Sequence, residues 1–252
     1  MEPRPLSPSE RRQRNRQEML DAILLNARAL MREEGVAALS LRALARRLRF
    51  TVQALYKYYP SKAALYDALF REGIRTYTRY WHEAIAGRTS FWDTLQAVLE
   101  ATMRFAHDYP ELNDLTFSRP VPRFVPSEES MQESRRLLGE FDGIIAEAIA
   151  GREIRADVAP TEVRDLFLAM LDGLTRQHLA NEPGTPVGSG RYGGLIPAAI
   201  AVFRCAWQPG GPAPASHAPQ DQRPTEQSGK GGTQIECTAQ SSGNTNDRKP
   251  RH

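Results

Sequence analysis

The chain has 252 residues, 40% of them apolar, and a formal charge of only +3. That length is enough for one sizeable core or two small ones, and no apolar run approaches the roughly 20 residues that a membrane-spanning helix needs. The opening MEPRPLSPSERRQRNR has no apolar signal core. The two cysteines, Cys205 in a helical pattern and Cys237 in a polar tail, are poor candidates for a structural disulfide, so a reducing cytoplasm is the expected setting.

The small net charge conceals a partition. Residues 1–62 carry 13 Lys/Arg against 6 Asp/Glu, residues 63–207 carry 15 against 20, and the remainder 5 against 4. A phosphate-binding surface needs such a basic excess, and here it sits at the front.

In chain order, residues 1–9 are expected to form a flexible arm, and Arg11, Arg12, Arg14 and Arg16 a short basic arm ahead of the first helix. That arm is either a solvated terminus or a contact to phosphates or the minor groove. A helix is expected over about 10–34, where Leu20, Ile23, Leu24, Ala27, Leu30 and Met31 form one stripe, closed by Gly35. Residues 40–62, SLRALARRLRFTVQALYKYYPSK, then hold two short helical patterns three residues apart. In the first, Leu41, Leu44, Ala45 and Leu48 fall at i, i+3, i+4 and i+7, with Ser40 as cap and Arg42, Arg46 and Arg47 pointing elsewhere. The second starts at Thr51 and is anchored by Leu55 and Tyr59, leaving Val52, Gln53, Tyr56 and Lys57 outward. Pro60 ends it and Ser61 caps the next helix, with Lys62 in its first turn. This is the layout of a helix-turn-helix, which reads DNA.

The run from Leu39 to Leu65 resembles the DNA-binding domain of the TetR family of bacterial transcriptional regulators. Several features agree at fixed spacing: the long leading helix RQEMLDAILLNARALMREEG, Gly35, Leu44-Ala45, Leu55-Tyr56, Tyr58 and Pro60-Ser61-Lys62. The chain departs from the family at the turn, where Arg49 stands in place of the usual glycine. A positive φ there would strain an arginine by roughly 1 kcal/mol.

Beyond the motif the pattern remains helical. A long helix from Ser61 to about Ala86 is the natural link between the reading head and the helices after it. Further helices are expected from Ser90 to before Pro110, around 111–117, from Ser127 to Ala150, from Thr161 to Leu179, and from Leu195 to Ala206. SRPVPRFVPS is expected as a loop and NEPGTPVGSGRYGG as a flexible connection. The fold class is all-α: a three-helix head over residues 10–60 and a body over 61–207. The polar stretch 208–252 is expected to be a disordered tail.

The resemblance implies roughly six helices for effector binding and dimerisation behind the head. It makes Arg42, Val52, Gln53 and Ala54 the candidates for base edges, with Thr51, Tyr56, Lys57, Tyr58 and Lys62 on the DNA backbone; for Tyr56 and Tyr58 the alternative is helix packing. One head contacts few base pairs, so a homodimer on a palindromic operator is expected. Leu166, Gly173, Leu174, Leu195, Ala199, Val202 and Ala206 are its candidate interface, ordinary core being the alternative. Trp81, Met103, His107, Phe117 and Met170 are candidate effector-pocket residues, with core packing the alternative for each. No Gly-rich phosphate loop, positioned nucleophile or metal-ligand spacing occurs, and His107 and His178 lack ligand partners, so neither enzyme, metal nor cofactor is implied. The expected function is a cytoplasmic, nucleoid-associated repressor released from its operator by a small molecule; the alternative is a constitutive or activating regulator without effector.

Overall fold

Ser7 sets where the first helix begins. Its hydroxyl accepts from the Glu10 amide at 3.2 Å while the Glu10 carboxylate accepts from the Ser7 amide at 2.6 Å, and Pro8 has no amide to leave unpaired. In the computed structural model, which describes residues 7–211, helix α1 therefore spans Pro8–Glu34. The four arginines expected as an arm ahead of the helix are instead part of it, because the reciprocal cap lies upstream of them. Of the expected flexible arm, residues 1–6 lie outside the described residues; so does the expected tail beyond residue 211, Cys237 included.

Gly35, at φ +91, closes α1 by donating its amide to Met31 O. After a 3-10 turn at Val36–Ala38 come α2 (Leu41–Arg47), α3 (Val52–Tyr56) and α4 (Lys62–Ile85). Each starts on a hydroxyl cap: Ser40, Thr51 and Ser61 accept from the amides of Ala43, Ala54 and Ala64 at 3.4, 3.2 and 3.0 Å. Such caps are worth about 1 kcal/mol each. Leu30, Leu44, Leu55, Leu65 and Leu69 bury together as the core of the head.

The turn between α2 and α3 has the geometry that glycine usually supplies. Phe50 N donates to Ala45 O at 2.8 Å and Arg49 N to Arg46 O at 3.1 Å, the paired bonds of a left-handed helix end, with Arg49 at φ +57. Replacing Arg49 with Gly is expected to raise stability by up to about 1 kcal/mol. Urea denaturation checks this; an unchanged midpoint would show that the turn stores no strain.

The body comprises α5 (Phe91–Asp108), α6 (Pro110–Asn113), α7 (Glu128–Ala150), α8 (Pro160–Asn181), α9 (Gly190–Gly193) and α10 (Ile196–Trp207), and no strand occurs among the described residues. The fold is all-α. Two local differences from expectation have physical causes. The single short helix expected around 111–117 is α6 followed by a π-helical turn over Asp114–Ser118, which rides tightly over α4. A β-carbon at Gly73 would fall 2.4 Å from Thr116 Oγ1, so any larger residue there would force Thr116 to move. The connection expected to be flexible contains α9 (Gly190–Gly193), whose second and third amides, those of Arg191 and Tyr192, are held by the Glu182 carboxylate at 2.9 and 3.1 Å.

Helix α4 belongs to both cores. Leu65, Tyr66, Leu69, Phe70 and Ile74 pack in the head, whereas Trp81 packs with Leu95, Leu99, Phe167 and Phe203 in the body. A rigid helix of 24 residues is about 36 Å long, so a displacement at one end is carried to the other.

Candidate nucleic-acid interface

The reading surface is built on a short scaffold. Helix α3 has only five residues, yet the Tyr58 and Tyr59 amides both reach back to Leu55 O at 2.9 Å, which keeps the chain coiled up to Pro60. Leu55 is buried and pins the helix; Gln53, Tyr56 and Lys57 are exposed. Val52 and Ala54, expected to face outward as base readers, are half-buried, and Val52 packs on the head core. A five-residue helix lies too close to its support to free a whole face. Gln53 is therefore the fully outward side chain of the three.

Around it stand groups suited to phosphates. Arg42 and Arg46 are exposed on α2 with no carboxylate partner among the described residues, while Arg47 is neutralised by Glu33 at 2.7 Å. Thr51 is exposed, but its hydroxyl already accepts from Ala54 N as the cap and would approach a phosphate as a donor. Lys62 opens α4 with its ammonium 5.4 Å from the centre of the Tyr66 ring. Tyr58 is half-buried on the head core and carries the Arg16 guanidinium 5.4 Å from its ring centre. Tyr59 faces the groove between α1 and α4, where burial and then the charges of Glu72 and Asp21 push its phenol up to about 12.

Residues 23–69 match the family model described as bacterial regulatory proteins, tetR family. The HTH-type transcriptional regulator Mb1846 of Mycobacterium bovis is 30% identical over 164 residues, which cover 62% of this chain and 69% of that protein. The chain belongs to the TetR family. It is a DNA-binding transcriptional regulator of that family, and solved structures share its fold over both head and body. A Rhodococcus sp. RHA1 protein of unknown function superposes with a TM-score of 0.63 at 22% identity, over 75% of this chain and 94% of the other. FadR of Bacillus subtilis, solved in complex with stearoyl-CoA, gives 0.58 at 16% identity, over 73% and 96%.

The body of this TetR-family chain separates the candidate effector residues rather than gathering them. Trp81, Met103 and Met170 share one packed core. Phe117, 40% exposed, lies edge-on to Tyr77 and Phe105 in a separate aromatic cluster. His107 is exposed in the last turn of α5, 3.2 Å from Asp108, and cannot supply an interior polar contact from there. A cleft of about 950 Å³ between α1 and α4 is lined by none of these five residues; Leu24, Leu25, Arg71 and Glu72 are among its walls. The candidate dimer residues divide as well. Leu166, Leu195 and Val202 are 53%, 45% and 67% exposed, and a β-carbon at Gly173 would meet nothing within 4 Å. Leu174 and Ala206 pack on the body core, and Ala199 is half-buried.

Two joints between head and body have no signature in the sequence. Glu111 of α6, 1% exposed at its side chain, receives Arg28 Nε at 3.0 Å and Arg32 Nη2 at 2.8 Å, both from α1. Asp67 of α4 accepts from Ser127 N at 2.6 Å, Ser127 Oγ at 2.9 Å and Ser130 Oγ at 3.0 Å, fixing the loop before α7. Burial opposes ionisation of Asp67, but those bonds and Arg71 outweigh it and hold its carboxyl below the usual value.

Proposed function

We propose that the chain acts in the bacterial cytoplasm, on the nucleoid, as a homodimeric repressor that leaves a palindromic operator when a small molecule binds its body. The observation that carries this reading is the passage of α4 through both cores: whatever reorders the packing around Trp81, Met103 and Met170 also moves the helix that supports α3. Gln53 is the principal base reader, with Arg42 beside it and Val52 and Ala54 offering apolar contact; Thr51, Tyr56, Lys57, Tyr58 and Lys62 grip the backbone. The outer faces of α8 and α10, through Leu166, Gly173, Leu195 and Val202, join two copies, each presenting one head to successive major grooves.

The test is selection of duplexes from a random library, followed by binding of variants. Gln53→Ala should change base preference at one position per half-site, by about 1–3 kcal/mol of discrimination. Tyr56→Ala and Lys62→Ala should weaken all sequences alike. Equal affinity of the wild type for every duplex would sink the reading.

One observation favours a second reading, a regulator without effector: Trp81 and Met103 are almost fully buried, and neither lines the large cleft. DNA release on adding a candidate ligand separates the two.

A further inference from the structure

On α1, Arg12, Arg16, Met19, Ile23 and Ala27 fall at i, i+4, i+7, i+11 and i+15, a single face. Ile23 and Ala27 are wholly buried in the head core, Met19 is half-buried, and Arg16 and Arg12 are exposed. The packing face thus continues past the edge of the core and turns from apolar to cationic. It ends beside the reading helix, since the Arg16 guanidinium lies 5.4 Å from the centre of the Tyr58 ring, just beyond α3. Arg12 is one turn further out, about 6 Å along the axis. On the opposite side of α1, Arg14 is paired with Glu18 at 3.4 Å, whereas Arg12 and Arg16 have no carboxylate partner among the described residues. The Ser7–Glu10 cap keeps this segment helical.

The geometry points to a phosphate clamp: Arg12 and Arg16 hold the DNA backbone flanking the stretch that α3 reads, without regard to its sequence. The clamp deepens the proposed operator binding and rests on it. A helix with side chains is 10–12 Å thick and cannot follow a minor groove about 6 Å wide, so these arginines meet phosphates at its rim rather than base edges within it. Tyr58 holds Arg16 against the head, so that its cationic end is already placed when the duplex arrives.

The experiment uses the full chain and a duplex that the wild type enriches from a random library, with binding measured from low to moderate salt. Each phosphate neutralised contributes about 0.9 to the slope of log affinity against log salt. Because the dimer places one copy of each arginine on either half-site, Arg12→Ala and Arg16→Ala should each reduce that slope by about 2, and the double variant by about 4, while Arg14→Ala leaves it unchanged. Trimming the duplex outside the half-sites should weaken the wild type and leave the double variant indifferent. A wild-type slope in the double variant overturns the clamp, as does a loss confined to A·T-rich flanks, which would mean minor-groove insertion. Failure of the wild type to enrich any sequence would instead overturn the operator-binding reading itself.

Discussion

Replacing Arg28 with Ala is expected to lower stability by about 3–5 kcal/mol, the cost of breaking a buried pair so that one charge is left uncompensated. Arg28 is 18% exposed at its side chain and serves two carboxylates, Glu111 at 3.0 Å and Glu72 at 2.8 Å, while its guanidinium sits 4.8 Å from the centre of the Tyr109 ring. Burial is the largest influence on it and disfavours the cation, yet the bonds to Glu111 and Glu72 together outweigh burial and raise its pKa. Without Arg28, the almost fully buried Glu111 retains only Arg32, which is half-exposed. Arg32→Ala should therefore cost less, since the partner lost is the solvated one. Urea denaturation of Arg28→Ala, Glu111→Ala and the double variant measures the coupling between the two side chains. A loss below about 1 kcal/mol for Arg28→Ala would show that the joint between α1 and α6 contributes little.

The second large effect concerns assembly. Changing Leu166 and Val202 together to Asp should convert the proposed dimer to monomer and reduce affinity for the proposed operator by about 10²–10⁴-fold, the gain that linking two binding modules provides. Both residues are more than half exposed, so the monomer should keep its helical fold, while its melting temperature falls and no longer depends on protein concentration. Four carboxylates brought into one apolar interface would be desolvated next to one another, which no rearrangement of α8 and α10 relieves. Sedimentation and operator titration read the two consequences separately. A dimer persisting in the double variant would move the interface away from these helices.

Much of the head was legible because its determinants are local. Ser40, Thr51 and Ser61 each act on an amide three residues away, and Arg49 had to take a left-handed conformation because the helix end before Phe50 requires one. The stripe of Ile23, Ala27 and Leu30 follows from helical period alone. The outward face of α3 was only partly legible: period placed Val52 outside, and the closeness of a five-residue helix to the head core drew it half inside. In the body, helical period could not show that His107, one turn after the buried Met103, is exposed although Phe105 and Ala106 beside it are wholly buried.

The sequence by itself determined the long helices, the caps at Ser40, Thr51 and Ser61, the cationic head and the helix-turn-helix spacing, because each depends on groups within about one turn of each other. It also placed arginines at positions 12 and 16. Only the tertiary structure decided that they stand beside Tyr58 as a continuation of α1's packing face, because that depends on the angle at which α1 crosses the head. The same holds for Glu111, which meets Arg28 and Arg32 across separations of 83 and 79 residues. No local rule reaches that far: the contact exists because hydrophobic burial brings α1, α4 and α6 together, and the charges pair where the helices come to rest.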